Sequence, residues 1–157
     1  MRQLCRINIL VVIIVALSFS VATSGDQDVL EALGKVKAAI EQEASPKALA
    51  PLLDKARMQI DMLQRGDARK DCFRAATKRA YYWYDLGVKN CGALMENQEK
   101  RDRYRRKAEY GDHDMKEISL KMVENYDKLI RHAQEALPSK WEYGHAALVR
   151  AQQCLER

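Results

Sequence analysis

The chain has 157 residues, which is enough for one domain with a buried core. Its formal net charge of +5 comes from 27 basic and 22 acidic residues, a balance that argues against specific nucleic-acid binding. Alanine, lysine, arginine, glutamate and leucine dominate from Asp26 onward, whereas glycine and proline are scarce. This composition predicts a helical protein.

Residues 1–25 follow the pattern of a secretory signal peptide. Arg2 and Arg6 precede an unbroken apolar run over residues 9–17, and small residues follow that run. This order is typical of a segment that a signal peptidase removes. We predict cleavage near Ala22 or Gly25, which would lower the formal net charge from +5 to about +3 because it removes two arginines and no acid.

An uncleaved signal anchor is the alternative interpretation of this N-terminus. The apolar stretch of residues 7–22 approaches, but does not reach, the roughly 20 residues of a membrane-spanning helix. Cleavage would give a secreted or periplasmic protein, and we expect residues 26–157 to form its single domain. The anchor would instead hold a periplasmic domain at the inner membrane.

Two amphipathic helices are predicted next. Asp26 or Asp28 can cap the first helix. Its apolar positions recur at intervals of three and four: Val29, Leu33, Val36 and Ile40. Ser45 can cap the second helix, with Pro46 in its first turn, and Gly66 offers a C-terminal stop. The short link between them predicts an antiparallel hairpin.

A third helix is predicted from Asp67 to about Gln98. Its apolar and small residues lie along one face: Cys72, Ala76, Ala80, Trp83, Gly87, Cys91 and Leu94. Residues 99–114 have no apolar stripe. They are therefore expected to form either a solvated continuation of the helix or a loop that ends at Gly111.

The C-terminal part of the chain predicts two further helices. An apolar stripe returns at Met115 and continues to Leu137, where Pro138 is expected to end the helix. Ser139 and Glu142 form a capping box for a last helix. With mostly short links and no strand signal, the predicted fold is all-α, an antiparallel bundle of four to five helices.

Four aromatic residues stand in succession at positions 81–84 of the third helix. At about 100° per residue they cannot all face one core. One interpretation places Trp83 and Tyr84 in the core, with Tyr81 and Tyr82 along the flanks of the helix. A second interpretation makes Tyr81, Tyr82 and Trp83 an exposed surface that binds a partner. A third is a helix break near Gly87 or Gly92.

Three cysteines follow the predicted signal peptide, an odd number for an oxidising compartment. Cys72 and Cys91 lie about 28 Å apart along one helix, which is too far for a disulfide. In a five-helix bundle the last helix runs parallel to the third, which favours a Cys91–Cys154 bond. Cys72 would then be a buried thiol or would link two chains in a homodimer. Alternatively, all three are small buried residues.

The densest charge cluster of the chain lies at residues 100–107 and includes Arg103, Arg105 and Arg106. Acidic residues interrupt it, which is typical of a solvated helix end. Its alternative role is a weak, salt-sensitive contact with a polyanion or an anionic membrane surface.

Candidate ligand sets for a metal or a cofactor are incomplete. Glu142 and His145 have the spacing of one half of a di-iron site, but no second copy occurs. His113 and Met115 offer soft ligands for copper without clear companions, and no covalent haem motif is present. We therefore predict no metal and no cofactor.

No recognisable catalytic motif occurs in the sequence, which favours a non-enzymatic role. The best interpretation is a protein-binding module that uses the aromatic third helix or the basic segment after it. The alternative is a carrier that holds a hydrophobic ligand or haem between its helices, with Trp83 and Tyr84 in the lining.

Overall fold

The computed structural model describes residues 24–156, so the predicted signal peptide lies almost entirely outside the described residues. Four helices make up the fold: α1 (Ser24–Glu41), α2 (Pro46–Asp61), α3 (Ala68–Tyr110) and α4 (His113–Glu156). The prediction of an all-α bundle is confirmed, with four helices in the described range. Nowhere in residues 24–156 does a helix combine the length and the apolar character that a membrane crossing demands.

Short polar side chains begin three of the four helices. The hydroxyl of Ser45 accepts a hydrogen bond from the amide of Ala48 at 3.3 Å, with Pro46 directly after it. Asp67 accepts from the amide of Lys70 at 3.0 Å. At the start of α4, Asp112 accepts from the amide of Met115 at 2.9 Å. These caps satisfy backbone donors that have no partner within the helix.

Two predicted helix ends differ from the structure. The helix α1 begins at Ser24, so Asp26 lies inside its first turn instead of capping it. The helix α2 ends at Asp61 with Met62 as its C-cap, and Gly66 lies in the loop that follows.

The basic segment is a continuation of α3, which extends to Tyr110. Ion pairs one helical turn apart support this segment, including Lys100 with Glu96 and Arg103 with Glu99. The hydrogen bond from Lys100 lowers the pKa of Glu96, which keeps that carboxylate ionised. The prediction of a solvated continuation of the helix is therefore confirmed as far as Tyr110, and the alternative of a loop over residues 99–110 is wrong.

The predicted helix end at Pro138 is wrong, because α4 is a single helix of 44 residues that continues through this proline. Pro138 removes one backbone donor, which costs about 3 kcal/mol inside a helix. Buried residues on both sides, such as Leu137 and Leu148, hold the helix together and outweigh this cost. Ser139 does not act as a cap, since its hydroxyl donates to the carbonyl of Ala136 at 3.0 Å within the helix.

The described residues form two compact units. Unit 1 contains α1, α2, α3 as far as Tyr81, and α4 from His145 onward. Within it α1 and α2 pack against each other, as the predicted hairpin requires. Buried apolar residues come from all four segments, among them Val29, Leu33, Leu49, Leu53, Phe73, Ala80, Leu148 and Ala151.

Unit 2 spans Tyr82–Gly144 and is a helical hairpin formed by α3 and α4. The two helices are antiparallel, because contact partners descend along α4 as they ascend along α3. Three such pairs are Trp83 with Tyr143, Arg101 with Asp127, and Tyr104 with Tyr126. The chain reverses at Gly111, whose amide donates to the carbonyl of Lys107 at 2.8 Å.

Alanine in place of Ser119 is expected to raise the free energy of unfolding by about 1 kcal/mol. Ser119 is fully buried on α4, and its hydroxyl has no hydrogen-bond partner among the described residues. Alanine removes that unsatisfied group and also favours the helix. Chemical denaturation measures the change. Ser139→Ala is the matched control, because it removes a hydroxyl that does donate a hydrogen bond. A loss of stability in Ser119→Ala would contradict the prediction.

Candidate functional site

Tyr84 is the core member of the aromatic run at positions 81–84. Its side chain is fully buried in unit 2, and its ring lies against Gly144 of α4. A Cβ atom at Gly144 would come within 2.4 Å of the Tyr84 ring. The Tyr84 ring therefore occupies space that is free because Gly144 has no side chain.

The opposite arrangement occurs one turn further along α3. Here Gly87 is the small residue, and the ring of Trp141 from α4 covers it. A Cβ atom at Gly87 would lie 2.2 Å from a carbon of the Trp141 ring. Each helix of the hairpin thus supplies one glycine and one large aromatic ring. These two contacts fix how α3 and α4 pack at this end of unit 2.

Tyr82, Trp83 and Tyr143 form an exposed aromatic cluster on unit 2. The ring centroids of Tyr82 and Trp83 are 5.2 Å apart in an edge-to-face arrangement. Those of Trp83 and Tyr143 are 4.9 Å apart and tilted by 44°. Tyr82 is 56% exposed and Tyr143 is 54% exposed, while Trp83 between them is half-buried. The cluster therefore presents aromatic surface to solvent while its rings support one another.

The predicted members of this surface differ in exposure. Tyr82 is exposed, whereas Tyr81 and Trp83 are half-buried. One interpretation of the run places both Trp83 and Tyr84 in the core: Tyr84 is fully buried, as that interpretation requires, whereas Trp83 is only half-buried. There is no helix break at Gly87 or Gly92, because α3 continues through both.

Tyr143 is a member of the cluster that the sequence did not indicate. Because the sequence predicts a helix end at Pro138, it assigns Tyr143 to a separate last helix and not to the helix that pairs with the aromatic part of α3. A signal for it was present in residues 141–144, where Trp141 and Gly144 mirror the aromatic and glycine residues of α3.

The arginines Arg103, Arg105 and Arg106 are all exposed on α3. Arg103 pairs with Glu99 at 3.6 Å, while Arg105 and Arg106 make no ion pair within the described part of the chain. Arg103 lies more than five helical turns from Trp83 on the same helix, a distance of about 30 Å. The basic segment is therefore a separate surface and does not extend the aromatic cluster.

The predicted Cys91–Cys154 bond is wrong, because Cys154 is bonded to Cys72 with a Cα separation of 5.8 Å. The error follows from Pro138: α4 is one helix antiparallel to α3, so its C-terminal end lies beside the beginning of α3. Cys72 is consequently not left to link two chains. The third cysteine, Cys91, is buried in unit 2.

The candidate metal ligands come from different parts of the described chain. The side chain of His113 is almost fully exposed at the beginning of α4. Glu142 and His145 lie one turn apart much further along the same helix, where Glu142 is exposed and His145 is half-buried. Within residues 24–156 no group of three or more His, Cys, Asp and Glu side chains could hold a metal ion.

Comparison of the chain with protein-family models, with curated proteins and with solved structures gives no match. The class of protein is therefore defined by its fold and its surface. Over residues 24–156 it is an all-α protein of four helices whose long helical hairpin carries an exposed aromatic cluster.

Proposed function

We propose that this chain is a non-enzymatic protein-binding module whose contact surface is the aromatic cluster of Tyr82, Trp83 and Tyr143. The observation that carries the proposal is that two tyrosines, each more than half exposed, flank a tryptophan with which both make ring contacts. Tyrosine and tryptophan are among the residues most enriched at the energetic centres of protein interfaces.

The rigidity of the cluster supports this proposal. The Trp83 ring contacts Tyr82 on its own helix and Tyr143 on the other helix. The neighbouring contacts of Tyr84 with Gly144 and of Trp141 with Gly87 hold these two helices together. A surface that is ordered before binding loses little conformational entropy when a partner docks on it.

The Cys72–Cys154 pair and the N-terminal pattern support a secreted or periplasmic location for this function. Disulfides form and persist in oxidising compartments such as the periplasm and the extracellular space. A binding module in these compartments has to remain folded after export, and a covalent link between α3 and α4 meets that need.

Replacement of both exposed tyrosines, Tyr82→Ala with Tyr143→Ala, is expected to weaken partner binding by at least about 30-fold. The test immobilises the full chain and the double variant, exposes both to an extract of the source organism, and identifies the retained proteins by mass spectrometry. Calorimetry with the purified partner then gives the dissociation constants. Circular dichroism should be unchanged, because both side chains are largely in solvent.

Tyr110→Ala is the matched control for this experiment. Tyr110 is 85% exposed on the same helix and lies outside the cluster. Equal retention of every protein by wild type and double variant would overturn the proposal. So would a native mass spectrum in which the purified chain carries a small molecule that the double variant lacks, because this result favours the carrier.

A further inference from the structure

A second apolar stripe runs along α4 beside the residues that face α3. Its members recur every seven residues and lie on one flank of the helix: Met115, Met122, Leu129, Ala136 and Tyr143. Residues seven apart differ by only about 20° around a straight helix, so these side chains form a nearly continuous line. All five lie in unit 2.

This stripe is largely open to solvent. Leu129 is 51% exposed and Met115 is 42% exposed, while Met122 and Ala136 are half-buried. The buried positions of α4, such as Ser119, Ile130 and Leu137, form a different line that faces α3. A helix in a two-helix contact needs apolar residues at two positions of each heptad, and a third apolar position is typical of a helix with a further neighbour. Unit 2 itself offers α4 only α3.

The charges that border the stripe have a definite order along the helix. The N-terminal half of the stripe is bordered by Lys121 and Lys128, and the C-terminal half by Glu135 and Glu142. These four residues follow one another at intervals of seven. The two lysines pair with Glu117 and Glu124 on their own helix. Glu135 and Glu142 are exposed and make no ion pair among the described residues. The flank thus presents two lysines in its N-terminal half, each with an intrahelical partner, and two carboxylates without an ion pair among the described residues in its C-terminal half.

We infer that a second copy of this chain docks on the stripe, with the two α4 helices antiparallel. This arrangement brings Lys121 of one copy to Glu142 of the other, and Lys128 to Glu135. At this register Leu129 lies about 3 Å along the helix axis from the level of Ala136 in the other copy, and Met122 lies equally near the level of Tyr143, so that each large side chain neighbours a smaller one or an aromatic ring. The charge pairs therefore select an alignment that keeps the apolar side chains of the two stripes next to one another, and an isologous contact of this kind closes a dimer.

This inference rests on the proposed function, since Tyr143 belongs to both surfaces, and it names the binding partner. The contact between stripes from Met122 to Tyr143 would extend over six helical turns, or about 32 Å. Two hairpins joined in this way form a four-helix arrangement in which the exposed apolar flank becomes interior.

Exchange of charges tests the alignment directly. The basic variant carries Glu135→Lys with Glu142→Lys, and the acidic variant carries Lys121→Glu with Lys128→Glu. Sedimentation velocity of the full chain over a range of concentrations measures dimerisation. We expect a wild-type dimer and at least about a 100-fold increase in the dissociation constant for each variant alone, because like charges then face each other. An equal mixture of the two variants should recover the dimer as a heterodimer.

Asp54→Lys with Asp61→Lys is the matched control. These two exposed acids have the same heptad spacing, but they lie on α2 in unit 1, so this variant should dimerise like the wild type. A wild-type monomer at every concentration would overturn the inference. Dimers that persist in both charge variants, or folded monomers whose mixture stays monomeric, would overturn it as well.

The two proposals can fail separately. Suppose that the wild type is monomeric but still retains a different protein through Tyr82 and Tyr143. This result would overturn the inferred dimer and would support the proposal of a protein-binding module. Suppose instead that the Tyr82→Ala variant dimerises through the stripe and that the wild type retains no other protein. This result would support the inferred dimer and overturn the aromatic cluster as the site of binding to another protein.

Discussion

Serine in place of Cys154 is expected to lower the free energy of unfolding by about 4 kcal/mol, the largest effect of any single substitution considered. The Cys72–Cys154 bond closes a loop with a sequence separation of 82 residues. In the chain-entropy model, a closed loop of that size stabilises the folded state by about 4 kcal/mol because it restricts the unfolded chain. Denaturation in urea, followed by circular dichroism, gives the change.

The same experiment identifies the bonded pair. A reductant should destabilise the wild type by a similar amount and leave Cys72→Ser and Cys154→Ser unaffected, because neither variant contains the bond. Cys91→Ser should retain the full response to reductant. If Cys91→Ser instead abolished that response, the bond would connect Cys91 with Cys154 and the arrangement of α3 beside α4 would need revision.

Alanine at Gly87 is expected to lower the free energy of unfolding by about 2 kcal/mol, and alanine at Gly144 by a similar amount. Each new methyl group would overlap a ring, that of Trp141 at Gly87 and that of Tyr84 at Gly144. Overpacking of this kind costs about 1–3 kcal/mol, which outweighs the gain of about 1 kcal/mol that alanine brings to a helix. Within this range Gly144→Ala should have the slightly larger effect, because Tyr84 is fully buried and cannot move its ring into solvent.

Gly92→Ala is the control for this prediction. Gly92 lies in α3 shortly after Gly87, and an added Cβ atom there would meet nothing within 4 Å. The same substitution should therefore stabilise the protein at Gly92 by about 0.5–1 kcal/mol. In a Trp141→Ala background, Gly87→Ala should lose most of its cost. Equal effects at Gly87 and Gly92 would mean that the Trp141 ring can turn aside without penalty.

Local rules predicted much of the fold from the sequence. Ser45 and Asp67 cap helices as expected, because a short polar side chain at this position accepts a hydrogen bond from a free backbone amide of the first helical turn. The all-α class follows from composition and from the scarcity of glycine and proline. These predictions depend on neighbours in sequence, which is why they could be made without a structure.

The helix end predicted at Pro138 is wrong because its prediction used only the residues near it in sequence. A proline in a helix is costly, and only the packing of residues on both sides can outweigh that cost. This packing is a property of the tertiary structure and leaves little mark on the sequence near residue 138. One wrong helix end then reversed the direction of the last segment, which produced the wrong disulfide partner for Cys154.

The candidate site was predicted in part for the same reason. Tyr82 and Trp83 are adjacent in sequence, so their association needed only helical geometry. Tyr143 joins them from a distant part of the sequence, and its place depends on how α4 aligns with α3. That alignment is set by the contacts at Gly87 and Gly144, where a missing side chain on one helix matches a ring on the other.

The Cys72–Cys154 bond also changes what a break in the hairpin would do. The chain turns back once between α3 and α4, at Gly111 and Asp112, and both of these residues are exposed. A protease that cuts there would leave two polypeptides still held by the bond at the far ends of these helices. The severed molecule would keep its mass on a non-reducing gel, apart from one added water, and would separate into fragments only after reduction. The protein can therefore be processed at its turn into a two-chain form without losing either helix.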